Sequence, residues 1–254
     1  MLKTTLNGLE LAYERRGSGT PLVLLHGYPL DHSIWNLVVP LLENDFDLIL
    51  PDLRGFGQSG ILQARYLLTD MAADMAALLD ALKTEQAVIA GHSMGGYVAL
   101  ACARRHPRRV RGLGLVASQA IADLPEKKAG RYQMAERVEA NGVGEVAESM
   151  PAMLTADAEL QTALKQLILR QSPEGVAGAL RAIAERPDST DILPSFNFPV
   201  VIIHGLADKI IPIERAREVQ AMVKGSHLVE IEGAGHMPMM EAPQVTAEAL
   251  KTLL

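Results

Sequence analysis

A chain of 254 residues, of which 48% are hydrophobic and 21% charged, is long enough for one globular domain and has the composition of a soluble protein. Its net charge of −6 and the lack of a basic tract argue against nucleic acid or an anionic membrane as the main partner. The sequence opens on no apolar leader and contains no run of about 18 apolar residues, which predicts a cytoplasmic protein without a membrane span. The single cysteine, Cys102, cannot form an internal disulfide, and the sequence leaves a homo-oligomer open.

The first half of the chain alternates predicted strands with predicted helices. Asn7-Gly8 is a strong hairpin signal between two short runs, and the continuous apolar runs that follow are typical of strands buried on both faces of a parallel sheet. In chain order we predict strands at Leu2–Leu6, Leu9–Arg15, Leu22–Leu25, Phe46–Leu50, Ala87–Ala90 and Val110–Val116, with helices at Ile34–Leu42, Leu67–Leu82 and Tyr97–Arg105.

The alternation stops after Ser118 and returns near Asp191. Between these points the patterns predict helices at Lys127–Ala140, Ala158–Arg170 and Glu174–Glu185. Beyond them we predict strands at Val200–His204 and His227–Ile231, and helices at Ile213–Val223 and Glu241–Leu253. These elements predict a mostly parallel, eight-stranded sheet flanked by helices, with a core of residues 1–118 and 191–254 and a helical cap at residues 119–190.

The motif Gly91-His92-Ser93-Met94-Gly95 lies between a predicted buried strand and a helix of small residues. Because glycine lacks Cβ, Gly91 and Gly95 allow the strand and the helix to approach closely around the bend. The Ser93 hydroxyl is then exposed at a helix N-terminus, where free N–H groups suit a developing oxyanion. This stretch resembles the nucleophile elbow of the α/β-hydrolase fold family. The resemblance to that family covers nearly the whole chain and is weakest in the cap.

A serine nucleophile needs a base within hydrogen-bond reach and a carboxylate that orients the base. Asp208 and His236 each follow a predicted strand of the second half, in loops at the carboxyl ends of those strands. They stand in the order that the α/β-hydrolase family uses: Ser, then Asp, then His. We therefore predict Ser93 as the nucleophile, His236 as the general base and Asp208 as the orienting acid. Asp123 and Asp191 are the rival positions for the acid.

The oxyanion of an acyl-transfer intermediate needs two donors. The resemblance implies the backbone N–H of Met94, which follows the nucleophile, and that of Tyr28 in the loop His26-Gly27-Tyr28-Pro29. This loop also resembles the oxyanion loop of cofactor-free haloperoxidases, which are serine esterases able to form peracids from hydrogen peroxide. We predict that Tyr28, Pro29, Met94 and Met237 contact the substrate.

No cofactor and no metal are predicted, because the chain lacks dinucleotide and P-loop spacings and its histidines do not have metal-ligand spacing. We expect His26 to brace its own loop by hydrogen bonds. We expect His92 to be structural and to point to the opposite side of the elbow.

Taken together, these motifs predict a serine hydrolase that cleaves carboxylic esters through an acyl-enzyme. Methionines of the cap and of the His236 loop suggest an adaptable apolar cleft for a small to medium, uncharged substrate: Met134, Met150, Met153, Met237, Met239 and Met240. A serine at position 93 argues against haloalkane dehalogenases and epoxide hydrolases, whose nucleophile is Asp. The alternatives are a lactonase or enol-lactonase, a carbon–carbon bond hydrolase, a perhydrolase side activity, and a non-enzymatic ligand receptor of the same fold.

Overall fold

The computed structural model describes residues 1–62 and 65–254. At its centre lies an eight-stranded sheet with the strand order β1-β2-β4-β3-β5-β6-β7-β8. The strands are β1 (Leu2–Leu6), β2 (Leu9–Gly17), β3 (Thr20–Leu25), β4 (Phe46–Pro51), β5 (Ala87–His92), β6 (Val110–Val116), β7 (Val200–Gly205) and β8 (His227–Ile231). The predicted fold class is confirmed.

Among the described strands, β2 alone pairs in an antiparallel way. β2 pairs with β1 and β4 in opposite directions, and every pairing from β3 to β8 is parallel. The β1–β2 hairpin turns at Asn7 and Gly8, whose φ angles of 51° and 89° are those that an Asn-Gly turn requires. Because the other strands run the same way, the loops after β5, β7 and β8 emerge at one edge of the sheet, and these loops contain the predicted triad.

Helices cover the sheet and form the segment between β6 and β7. They are α1 (Val39–Leu42), α2 (Leu68–Ala81), α3 (Met94–Arg105), α4 (Pro125–Asn141), α5 (Gly144–Ser149), α6 (Pro151–Leu154), α7 (Ala158–Leu169), α8 (Pro173–Ala184), α9 (Ile213–Met222), α10 (Pro238–Glu241) and α11 (Pro243–Lys251). Short 3₁₀ turns lie at His32–Trp35, Pro107–Arg109 and Thr190–Ser195. Within the described residues, no helix is long and apolar enough to cross a bilayer.

The segment between β6 and β7 is helical from α4 to α8. Its first and last helices are joined by an ion pair between Arg181 and Glu139 at 2.6 Å. We keep the predicted boundaries, residues 119–190, as the working definition of the cap.

Two predicted helices are interrupted by proline. The prediction over 34–42 is resolved into a 3₁₀ turn and α1, because Pro40 has no N–H to continue a helix from Asn36. The prediction over 241–253 is likewise divided before Pro243, since a residue that precedes proline is disfavoured in the α region. Pro151 separates α5 from α6 and occupies the first turn of α6, where its missing N–H is not needed.

Candidate active site

Ser93, the predicted nucleophile, is the single residue between β5 and α3. Ser93 has φ 50° and ψ −111°, a conformation that costs a non-glycine residue about 1–3 kcal/mol. Contacts on both sides hold it there: the Ser93 N–H donates to the Val116 carbonyl at 2.9 Å, and the Ser118 hydroxyl donates to the Ser93 carbonyl at 2.9 Å. The next strand of the sheet therefore supports the strained residue.

The two glycines of the motif are required by close backbone approach. A Cβ on Gly91 would lie 2.1 Å from the carbonyl carbon of Gly95. A Cβ on Gly95 would lie 2.5 Å from the carbonyl oxygen of Leu25, at the end of β3. Neither backbone atom can move away as a flexible side chain could, so glycine is the residue that fits at both positions.

Asp208 and His236 form a hydrogen-bonded pair in the loops after β7 and β8. His236 Nδ1 lies 2.7 Å from Asp208 Oδ2, and the side chains are 1% and 0% exposed. Asp208 Oδ1 accepts from the backbone N–H groups of Ile210 and Ile211 at 2.8 and 3.0 Å. Burial alone would raise the pKa of Asp208, but the hydrogen bond and charge of His236 and the two N–H groups outweigh it and hold that pKa below its usual value. An ionised Asp208 keeps the proton on Nδ1 and leaves Nε2 as the basic nitrogen.

The backbone of the His236 loop is anchored on several sides. The His236 N–H donates to the Leu154 carbonyl of the cap at 2.9 Å. The N–H groups of the residues before and after His236 both donate to Glu241 Oε2, at 2.9 and 3.0 Å. Glu241 Oε1 in turn accepts from the Thr155 hydroxyl at 2.6 Å. The position of the histidine thus depends on the cap as well as on the sheet.

His26 and His92 pack behind the site. His26 Nε2 accepts from the Leu53 N–H at 2.9 Å and its Nδ1 lies 3.0 Å from the Gly27 carbonyl, so His26 braces its loop as predicted. The prediction that His92 points away is wrong, because its Nε2 donates to the His236 carbonyl at 2.8 Å and the two rings are 4.9 Å apart. Gly27 leaves room for this ring, since a Cβ there would lie 2.4 Å from His92 Nδ1. Burial lowers the pKa of both histidines and keeps them neutral.

The loop after β3 presents the second predicted oxyanion donor. The Leu30 N–H donates to the Gly27 carbonyl at 3.0 Å, and the Tyr28–Pro29 peptide within this turn is cis. In the described part of the chain, the backbone N–H groups of Tyr28 and Met94 have no acceptor, and the buried Tyr28 hydroxyl also has no partner. Among the described residues, the loop after β3 thus leaves two donors without a partner, and the start of α3 leaves one.

Four of the predicted site residues line one small cavity of about 40 Å³. Its walls are Tyr28, Ser93, Met94, Tyr97, Lys127, Arg131, Met150, Ile183, Ile210 and His236. Pro29 and Met237, the other two predicted substrate contacts, are absent from these walls. Met237 is fully buried because it packs into the core where α10 begins.

A larger groove of about 390 Å³ shares four wall residues with this cavity. Met134, Met150 and Met153 line the groove, in agreement with the expected methionine cleft. The methionines of the His236 loop do not line it: Met237 and Met239 are buried in the core, and the half-buried Met240 packs against the core.

Lys127 and Arg131 of the cavity wall were missed by the sequence analysis. They lie four residues apart on α4 and so share one face of that helix, which is the signal that could have found them. Neither rival acid approaches His236: Asp123 is shared by Arg131 and Arg186, and Asp191 pairs with Arg104 at 2.8 Å.

One group of potential metal ligands occurs in the described residues, formed by Asp31, His32 and Asp52 within 4.8 Å of one another. Hydrogen bonds already engage its atoms. His32 Nδ1 donates to Asp52 Oδ1 at 2.6 Å, and Asp31 Oδ1 accepts from the Ser33 N–H at 3.0 Å. These bonds explain the cluster as a link between two loops.

Comparison with known proteins supports the fold. The sequence matches the alpha/beta hydrolase fold family over residues 20–243, so the chain belongs to that family. An esterase from Thermogutta terrifontis, solved with malate bound, is similar with a TM-score of 0.94 and 39% identity, over 99% of this chain and 96% of that one. Pimeloyl-[acyl-carrier protein] methyl ester esterase of Aeromonas hydrophila is 29% identical over 96% of this chain and 98% of its own length. A putative non-heme haloperoxidase of Mycobacterium phage D29 is 28% identical over 98% and 92%. The predicted family is confirmed, and the similarities support a hydrolase.

Proposed function

We propose that this hydrolase cleaves carboxylic esters through an acyl-enzyme, with Ser93 as nucleophile, His236 as general base and Asp208 as the orienting carboxylate. One observation carries the proposal: the 2.7 Å contact between His236 Nδ1 and Asp208 Oδ2 stands beside a cavity whose walls include both His236 and Ser93. A base with a fixed tautomer next to a serine at a strained elbow is the arrangement that acyl transfer needs.

In the acylation step, Ser93 Oγ attacks the acyl carbon while His236 Nε2 takes the serine proton. The oxygen of the tetrahedral intermediate accepts from the unpartnered N–H groups of Tyr28 and Met94. Asp208 stays ionised and stabilises the imidazolium that forms on His236. The intermediate then expels the alcohol, which receives the proton from His236 Nε2.

Water completes the cycle by the same steps in reverse. His236 Nε2 takes a proton from the water that attacks the acyl-Ser93 carbonyl, and returns it to Ser93 Oγ as the carboxylic acid leaves. A lactone would follow the same route, with its alcohol still tethered to the acyl group. We therefore propose a small-molecule ester or lactone as substrate.

The test combines turnover with covalent labelling. Purified protein should hydrolyse p-nitrophenyl acetate and butyrate, and Ser93→Ala and His236→Ala should each lower kcat by roughly three orders of magnitude or more. A fluorophosphonate should label Ser93 once per chain, as read by mass spectrometry of the peptides.

Ser195→Ala, at an exposed serine on a 3₁₀ turn, is the matched control and should change neither the rate nor the labelling. A protein that is labelled at Ser93 but turns over no ester or lactone would contradict the proposed hydrolysis and favour a receptor. Labelling at another serine would contradict the assignment of the nucleophile.

A further inference from the structure

The cavity that contains Ser93 and the groove that shares four of its wall residues are unevenly charged. They contain Lys127, Arg131 and Lys209, and among the described residues that line them there is no Asp or Glu. The rest of the groove is apolar and rich in methionine. A chain with a net charge of −6 thus concentrates positive charge at its candidate site.

The charge of Arg131 is only partly neutralised inside the protein. Its Nε donates to Asp123, but Asp123 also binds Arg186 at 2.9 Å, so one carboxylate serves two guanidinium groups. Arg131 Nη1 and Nη2 have no hydrogen-bond partner within the described residues. A planar guanidinium with free nitrogens in a cavity wall is well suited to a carboxylate.

Lys127 adds a second cation at the same wall. It forms no ion pair with any residue that the structure describes, whereas its neighbour Lys128 is paired with Glu185 at 2.7 Å. Partial burial lowers the pKa of Lys127, and the charge of Arg131 lowers it further. The two cations are therefore close enough to repel each other. An anion between them would relieve their repulsion.

The Tyr28 hydroxyl is the third group without a partner. It is buried, and no described residue accepts its hydrogen bond. Burial raises the pKa of Tyr28 and keeps it a neutral donor. Because an unpaired buried hydroxyl costs free energy, this donor favours a ligand that brings an acceptor into the cavity.

Building on the proposed function, we propose that the preferred substrate carries an ionised carboxylate a few bonds from the scissile carbonyl, as in a half-ester of a short dicarboxylic acid. Arg131, Lys127 and the Tyr28 hydroxyl bind the carboxylate, and the uncharged part of the substrate lies along the methionine groove. This replaces the expectation of an uncharged substrate. That expectation rested on the methionines alone. Lys127 and Arg131, in the wall of the adjoining cavity, favour an anionic substrate instead.

The decisive experiment compares two esters that differ only in the free carboxylate: monomethyl adipate and dimethyl adipate. Methanol release by the full-length protein gives kcat/KM for each, corrected for the two equivalent bonds of the diester. We expect the half-ester to be preferred, and Lys127→Gln to lower the ratio of the two kcat/KM values by about tenfold, as loss of a charged hydrogen bond implies. Lys128→Gln, one residue away and paired with Glu185, should leave the ratio unchanged.

The outcomes separate this inference from the proposed function. If the wild type hydrolyses both esters equally well, the carboxylate site is overturned. It is also overturned if the ratio of the two kcat/KM values is the same in Lys127→Gln as in the wild type. In both cases the proposed ester hydrolysis still stands. If neither ester is cleaved, calorimetric binding of adipate to Ser93→Ala still decides: binding that weakens in Ser93→Ala/Lys127→Gln supports the carboxylate site, and no binding overturns it.

Discussion

At the scale of single residues, Ser93 and His236 are each held in place by several contacts with neighbouring residues. His236 has Asp208 on Nδ1, the Leu154 carbonyl on its N–H and the His92 ring against its own. Ser93 is held at a positive φ by its neighbours on β6 and in the loop after it. Such restraint is what proton transfer over hydrogen-bond distance requires, because small displacements of the reacting groups cost large factors in rate.

The assignment of the acid is tested by exchanging carboxylates for amides. Asp208→Asn should lower kcat by roughly two to four orders of magnitude, because an amide cannot stabilise the imidazolium and can hold the wrong tautomer. Asp191→Asn removes only an exposed pair with Arg104 and should keep the full rate. Steady-state kinetics on p-nitrophenyl butyrate would give both values. An active Asp208→Asn together with an inactive Asp123→Asn would show that the acid was assigned wrongly.

Pro29 carries a prediction about the second nucleophile. Since proline restricts the residue before it, Pro29 helps to set the direction of the Tyr28 carbonyl, which we expect to lie beside the proposed acyl-enzyme. A carbonyl directed into the site could accept from hydrogen peroxide and favour peroxide over water. We therefore expect peracid formation in acetate and peroxide, and a lower ratio of perhydrolysis to ester hydrolysis in Pro29→Leu. Measuring both reactions on both proteins checks this, and an unchanged ratio would remove Pro29 from the choice of nucleophile.

At the scale of elements, the loops that surround the site are linked to one another and to the cap. Gln171, after α7, accepts from the Gly57 N–H at 2.9 Å, and a Cβ on Gly175 of α8 would lie 1.8 Å from the Gly55 carbonyl oxygen. The cap therefore rests directly on the loop after β4. The same loop is joined by Asp52 to His32, in the turn after β3.

The link between His32 and Asp52 predicts a pH-dependent stability. Burial alone would lower the pKa of His32, but the hydrogen bond and charge of Asp52 outweigh it and raise that pKa above 6.5. A raised pKa stabilises the fold fully below about pH 6.5, and this contribution is lost as pH rises through the folded-state pKa. His26 and His92 have lowered pKa values, so they change stability only below that range.

Urea unfolding of the wild type and of His32→Gln would measure this contribution. The difference in the free energy of unfolding should be largest near about pH 6 and shrink by about pH 9. His227→Gln, at an exposed histidine of β8, should show no such convergence. A His32→Gln difference that is constant across this range would mean that the pair stabilises the fold without a titrating proton.

At the scale of the whole molecule, the proposed chemistry needs no metal. Because the proposed mechanism takes its nucleophile, base and orienting acid from Ser93, His236 and Asp208, excess EDTA should leave the rate on p-nitrophenyl butyrate unchanged. If a chelator does change the rate, Asp31, His32 and Asp52 are the described residues that could hold a metal ion. A rate that falls with the chelator and returns with zinc would contradict this prediction.

The sequence predicted the sheet and the three triad positions because both depend on order along the chain. Buried strands appear as short apolar runs, and a residue just after a parallel strand must lie at the carboxyl edge of the sheet. Ser93, Asp208 and His236 could be found from that rule and the family resemblance. The direction of a side chain cannot be found in this way. Met237, which we expected to contact the substrate, is buried in the core, and Lys127, which we did not predict, lies in the cavity wall.

The bond from the His236 N–H to the Leu154 carbonyl has a consequence for protein engineering. Residues 119–190 look like a self-contained cassette that could be exchanged with a relative to change specificity. Yet Leu154 bonds directly to the His236 loop, and Thr155 supports the same loop through Glu241. A graft that replaced this segment alone would bring new pocket walls and lose contacts that support His236, the proposed base. Chimeras should therefore carry residues 154–155 and 235–241 from the same parent.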